Sequence, residues 1–427
     1  MTEGKINMVN HFNKSKSQRK IVVAMDSFKG SLTSLEAGNA VRDGILEKYP
    51  DFDVQIFPVA DGGEGTVEAL TFGKEHVQTQ TIPVTGPVGT EVLAGYTIYE
   101  QAGEKTAVLE MAQAAGLPFV PEERRNPMHT TTYGVGEMIR DAITCGCRKF
   151  ILGIGGSATN DAGIGMLQAL GYHFLDATGR EVDYGAEGLA QVRSITTEDV
   201  MPELASCTFQ IACDVTNPLV GAQGCSAVFA PQKGADAKMV QAMDVAMNRY
   251  ADIVEDMYRK DPSLMENQLT GYDEAGKNVE KTDRQRHDKN RMTPGVGAAG
   301  GLGYACLMFL HAALKPGIDI VLDEIHIAQA IKTADAVITG EGRFDAQTLM
   351  GKTPIGVARI AKSYEVPVYA FAGCFGADVQ VCIDSGVFAG CYAASAASTE
   401  EEKRLAMEKR HAYANLRNCV KNNLTGL

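Results

Sequence analysis

A chain of 427 residues, 45% of them hydrophobic, is long enough to bury a large core and to divide into two or three domains. Its formal charge of −13, from 53 acids against 40 bases, argues against a nucleic-acid backbone or an anionic membrane surface as partner, so local basic residues must hold any anionic substrate. The ten cysteines form no C-x-x-C pair and read as reduced thiols of a cytoplasmic protein, and the first twenty residues hold no apolar signal core and read as a disordered tail.

Ile21-Val22-Val23-Ala24-Met25 reads as a buried strand, and Thr33 with Glu36 as a capping box before a helix that places Ala37, Ala40, Val41, Gly44 and Ile45 on one face. Between them, Asp26-Ser27-Phe28-Lys29-Gly30-Ser31 follows the strand directly. That puts Ser27, Lys29 and Ser31 at the carboxyl edge of a parallel sheet, where open α/β folds bind ligands. Lys29 is suited to clamp a phosphate or carboxylate, although lysines are also common in polar loops for no reason beyond solubility. A second strand, Val54 to Val59, ends in Ala60-Asp61-Gly62-Gly63-Glu64-Gly65-Thr66, and a helix starts at Thr66. Pro83, Gly86, Pro87 and Gly89 then break the alternation and mark a domain crossing.

Phe150-Ile151-Leu152 leads into Gly153-Ile154-Gly155-Gly156-Ser157-Ala158-Thr159-Asn160-Asp161. Ser157, Thr159 and Asn160 can cap a following helix, and Gly155 and Gly156 let a backbone approach a phosphate; a tight structural turn is the competing reading. Asp161 is suited to coordinate Mg2+ or to accept a proton from a substrate hydroxyl. Residues 259–291 are dense in charge and read as a solvated insertion, and the glycines of Gly295-Val296-Gly297-Ala298-Ala299-Gly300-Gly301 offer another phosphate cradle. The strand Ala336-Val337-Ile338-Thr339 runs into Gly340-Glu341-Gly342-Arg343-Phe344-Asp345. Arg343 would neutralise a transferring phosphoryl group or pair with an acid of its own loop.

Asp61, Glu64, Asp214, Glu341 and Asp345 all fall at or just past strand ends, and one or two carboxylates with phosphates and waters suffice for Mg2+. Gly351-Lys352-Thr353 ends like a Walker A loop, but Ala346 stands where its first glycine belongs. Gly153 to Ala158 fits a loose dinucleotide fingerprint with Asp176 downstream for a ribose. A NAD-type oxidoreductase therefore stays open as an alternative, as does a non-catalytic regulatory module that binds an organic acid.

These segments, with Ala212-Cys213-Asp214-Val215-Thr216-Asn217-Pro218-Leu219, Phe229-Ala230-Pro231-Gln232-Lys233-Gly234 and Gly300-Gly301-Leu302-Gly303, together resemble the bacterial type 1 glycerate kinases over about residues 20 to 420. The resemblance implies transfer of the γ-phosphoryl group of ATP to D-glycerate, usually at the 2-hydroxyl to give 2-phosphoglycerate. It also implies two α/β domains with the active site in the cleft: a Rossmann-like parallel-sheet domain formed by both chain ends, placed at 21–82 plus 295–427, and a second α/β domain inserted at 83–294. Met25 departs from the family pattern, which usually has proline before Asp-Ser-Phe-Lys-Gly, and the 259–291 stretch is longer than usual. On residue chemistry, Asp161 is the expected base, and Lys29 and Arg343 handle negative charge. Ser27, Ser31, Asp61, Gly155, Gly156, Ser157, Asn160, Gly297, Gly300 and Gly301 are expected to bind substrate or phosphate, and Asp214, Glu341 and Asp345 compete for Mg2+. Regiochemistry, and whether the chain is a monomer or a homodimer, are left open.

Overall fold

The computed structural model describes residues 18–63, 65–261, 270–272, 278–280, 290–395 and 408–424. Of the tail expected over residues 1–20, the part up to residue 17 lies outside the described residues, as do the acid Glu64 and most of the 259–291 stretch, whereas Lys20 already begins a strand; within the 259–291 stretch Arg259 and Lys260 end a helix, and Thr270–Tyr272 pairs antiparallel with Asn278–Glu280. The chain is a mixed α/β protein of two compact units: residues 1–59 with 326–427, and residues 60–325.

The unit built from both chain ends is organised on a five-stranded, wholly parallel sheet. Its centre is Lys20–Met25, with Asp53–Ile56 on one side and Ala336–Gly340, Val368–Ala372 and Gly390–Ala393 on the other. Counting only this unit's strands, the order is 2-1-3-4-5, a common doubly wound arrangement. The alternation of a strand sends Ile21, Val23 and Met25 to one face, where they meet Ala37, Ala40 and Val41 of the helix Ser34–Leu46 and Leu416 and Val420 of the helix Lys409–Asn423. The expected capping box is present: Glu36 N donates to Thr33 Oγ1 and Thr33 N to Glu36 Oε2. The helix Thr353–Ser363, joining the third and fourth strands, packs on the sheet through Val357, Ala358 and Ala361; right-handed crossovers that leave the first strand in opposite directions put it on the opposite face.

The middle unit carries a six-stranded sheet in the order Ala313–Lys315, Thr208–Ala212, Lys149–Gly153, Glu104–Glu110, Glu91–Gln101, Glu75–Thr85. The first four strands are parallel, so Glu110, Gly153, Ala212 and Lys315 all end at one edge. A large apolar core from Leu109, Phe150, Leu152 and Ile211 to Tyr250, Tyr304 and Phe309 surrounds this sheet.

The unit boundaries differ from those read off the sequence, because residues 60–82 and 295–325 cluster with the middle unit. The strand Glu75–Thr85 is polar and mostly exposed, so no apolar run announces it, and it continues through Pro83, which an outermost strand tolerates because it has no second neighbour to donate to. Residues 298–309 form a wholly buried helix within the middle unit's core, and 313–315 add that sheet's last strand.

Candidate functional site

In the terminal unit, strand order reverses between Lys20–Met25 and Ala336–Gly340, and the turns leaving these two strands are neighbours. A side chain at Gly342 would lie 3.3 Å from Phe28 Cα, so the 341–343 and 26–31 turns lie side by side. Asp26 is buried at this point: its Oδ2 accepts from Thr353 Oγ1 at 2.6 Å and its Oδ1 from Ser27 N at 2.6 Å. Residues 28–32 close on themselves through Phe28 N to Leu32 O, leaving Lys29 and the positive-φ Gly30 exposed at the tip. The Oγ atoms of Ser27 and Ser31 are buried without a hydrogen-bond partner among the described residues, as hydroxyls awaiting a ligand would be.

Across the switch point, Glu341 Oε1 accepts from Thr348 Oγ1 at 2.6 Å, and Lys352 Nζ lies 3.6 Å from Glu341 Oε2 and 4.0 Å from Asp345 Oδ1. Burial raises the Glu341 pKa, with Thr348 and Lys352 opposing the rise. Arg343 pairs with Asp345 at 3.7 Å, the intraloop ion pair that was its competing reading. Lys352 is the N-cap residue of the eleven-residue helix Thr353–Ser363, whose first turn holds Pro354. The Gly-Lys-Thr string therefore does open a helix at the carboxyl edge of a parallel sheet, although by a different loop from a Walker A motif. Neither Lys352 nor Asp26 is among the site residues expected from the sequence: Lys352 falls in the string that lacks the first Walker A glycine, and nothing local singles out Asp26.

In the middle unit, Asp61, Asp214 and Glu110 gather at the carboxyl edge. Gly62 (φ +99) and Gly317 press backbone to backbone: a side chain at Gly317 would lie 2.5 Å from Gly62 Cα, and one at Gly62 3.6 Å from Asp214 Oδ2. Gly317 N donates to Asp214 Oδ1 at 3.0 Å. Burial raises the pKa of Asp214, and Asp61 and Asp319 push it further up; burial also raises Glu110. Gly155 and the left-handed Gly156 form an exposed tip with open space beside Gly155. Leu117 N to Gly156 O and Ala158 N to Ala115 O tie this tip to the neighbouring segment.

Behind the tip the structure corrects several expectations. The helix begins only at Ile164, after the left-handed Gly163, so Ser157, Thr159 and Asn160 cap nothing. Asp161, the expected base, is 0% exposed; its Oδ2 accepts from both N and Oγ1 of Thr132 at 2.9 Å, and its Oδ1 from Gly163 N at 3.1 Å. Both oxygens are spent on the fold, which fits a structural carboxylate rather than one that meets a hydroxyl. Asn160, also 0% exposed, donates to Ser226 Oγ and to Met243 Sδ inside the core. The glycines expected to hold phosphate at 297–301 are buried: side chains there would strike Pro218 O at 2.1 Å, Thr159 O at 2.1 Å and Ala162 Cα at 2.8 Å for Gly297, Gly300 and Gly301. They let the 297–301 backbone pack against 159–162 and 217–218. Asp176 spends Oδ1 on Thr178 and Arg180 within its own turn, so the ribose partner of the dinucleotide alternative is a turn former. Lys233, which stands in one of the family-like segments but among no expected site residues, is buried beside Ser157.

Among the described residues no three His, Cys, Asp or Glu groups are disposed to hold a metal, no helix is long and apolar enough to cross a membrane, and none of the cysteines forms a disulfide. A family model described as the glycerate kinase family matches residues 21–425. Among the relatives, the glycerate kinase of Haemophilus influenzae is 45% identical over 86% of this chain and 89% of its own, and that of Bacillus subtilis 44% identical over 86% and 88%. The glycerate 2-kinase of Escherichia coli is 42% identical over 86% and 88%. A crystal structure of a glycerate kinase 2 from Salmonella typhimurium LT2 is 40% identical and superposes with a TM-score of 0.77, covering 95% of this chain and 97% of that one. With matches of this length and depth, the chain belongs to the glycerate kinase family and is an enzyme, a kinase acting on glycerate.

Proposed function

We propose that the enzyme transfers the γ-phosphoryl group of ATP to the 2-hydroxyl of D-glycerate, with Mg2+ as its metal. The observation that carries this reading is the meeting, at the terminal unit's switch point, of an exposed lysine turn and two serine hydroxyls that have no hydrogen-bond partner among the described residues with the Glu341, Asp345 and Lys352 cluster. Lysine and hydroxyl donors gathered at one sheet edge suit a polyphosphate. The 2-hydroxyl is supported by the name of the Escherichia coli relative, a glycerate 2-kinase.

The donor chemistry fits Mg2+ in the middle unit better than in the terminal one. Lys352 and Arg343 already offset the charges of Glu341 and Asp345, whereas the charges acting on Asp214 are those of Asp61 and Asp319, and a divalent ion would relieve that repulsion. Two carboxylates, with phosphate oxygens and waters completing the shell, are the usual protein share of a Mg2+ site. When bound, the ion would supply positive charge to phosphate oxygens. The chain's own groups bind and orient: Lys29, Ser27 and Ser31 offer donors at one edge, and Gly155, Gly156 and Ser157 at another. Because phosphoryl transfer draws most of its rate from positioning and charge neutralisation, these groups rather than the buried Asp161 carry the chemistry. Ten cysteines with no disulfide among the described residues suit a reducing compartment such as the cytoplasm.

Phosphorus NMR of the product from ATP and D-glycerate tests the reading directly. It should show 2-phosphoglycerate, with turnover abolished by a chelator and restored by Mg2+. A 3-phosphate product, or no product, would overturn the corresponding part of the proposal.

A further inference from the structure

Under the exposed tip of Gly155 and Gly156 lies a buried cation. Lys233 ends the short turn Pro231–Lys233, is 2% exposed, and donates through Nζ to Ser157 Oγ and to Thr159 O, each at 2.7 Å. The left-handed Gly234 beside it fixes the backbone, since a side chain there would lie 2.2 Å from Arg125 O. A lysine buried this deeply is costly unless it is compensated. Asp161 on the glycine turn acts favourably on its charge, whereas the buried Cys225 thiol, pushed up to about 11, is neutral where Lys233 is charged, and Asp161 makes its own hydrogen bonds to Thr132 and Gly163. The ammonium is therefore aimed at residues 157–159.

A hydroxyl oxygen that accepts from an ammonium keeps its own proton to give elsewhere. Ser157 is 7% exposed and adjoins the tip, so that proton can reach whatever the tip holds. We propose that Lys233 is a positioning residue of the kinase: it pins residues 157–159 beneath the tip and orients the Ser157 hydroxyl as a donor to an anionic group of a substrate, carboxylate or phosphate. The inference rests on the reading of the tip as a ligand-binding surface. Burial also pushes Lys233 down to about 8, so the ammonium, and the orientation it imposes on Ser157, should be lost as pH rises through that value.

The test compares wild type, S157A, K233M, K233R and S157A/K233M. D-glycerate and ATP binding are measured separately by calorimetry, alongside kcat and KM and a thermal melt of each protein. S157A and K233M should each weaken one ligand by about tenfold or more, with a smaller change in kcat, and the double variant should be no weaker than the worse single one. Which ligand weakens tells carboxylate from phosphate. Wild-type kcat/KM should fall above about pH 8, whereas K233R, which stays charged, should recover part of the binding and hold its activity to higher pH. S157A that binds both ligands as wild type does, or penalties that simply add in the double variant, would overturn the proposal. If K233M does not fold, S157A with K233R and their double variant form the cycle instead. A wild type without turnover would remove the kinase reading, and the calorimetric comparison would still decide the role of Lys233.

Discussion

Asp161 shows how a single residue's role escapes a reading of the chain. An aspartate after Gly-Gly-Ser-Ala-Thr-Asn has the look of a catalytic acid, but nothing local announces that Thr132, 29 residues earlier, will offer it both N–H and hydroxyl. Burial raises the Asp161 pKa, and the bonds from Thr132, Gly163 and Gly165 pull it back. In Asp161→Asn one carboxylate oxygen becomes an NH2 group, which turns a donor toward donors. Such a clash in the core is expected to cost about 2–4 kcal/mol of stability, read as a lower urea midpoint, while the folded fraction keeps kcat within a few-fold of wild type. A variant of unchanged stability with turnover lowered by orders of magnitude would restore the catalytic role. Lys233 is the converse case: the segment that holds it was noticed, yet its burial depends on Arg125 and on residues 157–159, which are far away in the chain.

At the scale of elements, the glycine-rich turns that looked alike divide into two kinds. Gly155 projects toward open space, whereas Gly300, at φ +67, would drive a side chain to within 2.1 Å of Thr159 O. Gly300→Ala combines a left-handed alanine with a backbone overlap and should lose at least about 2 kcal/mol in chemical denaturation. Gly155→Ala should stay within about 0.5 kcal/mol of wild type and instead raise KM, since the added methyl stands where a ligand would approach. Equal stability losses at the two positions would contradict this division. The strands with dense apolar runs, 21–25, 336–339 and 367–372, and the helix behind the Thr33 capping box were legible because period and cap agree there. The helix at 298–309 was not, because Ala299, Gly300 and Gly301 all take left-handed angles at its start and no local rule separates that from a loop.

For the whole molecule, the βα rhythm, two α/β units and the joining of both chain ends were legible, but the seams were not, because a seam depends on which core each segment enters. The middle unit has its own six-stranded sheet and its own core within residues 60–325, so that fragment should fold alone with a single cooperative transition, observable by circular dichroism and a dispersed NMR spectrum. A fragment that remains unfolded would mean that its core is insufficient by itself. The terminal unit offers no such fragment, because Ala24 bonds to Thr339 across 315 residues. Long-range pairing of this kind slows folding. At about 5–20 residues per second, the chain between those two partners takes roughly a quarter of a minute to a minute to leave the ribosome. Throughout that interval the strand Lys20–Met25 can pair with Asp53–Ile56 but its other edge, which belongs to Ala336–Gly340, stays open on the nascent polypeptide, a natural client for chaperones that shield emerging chains.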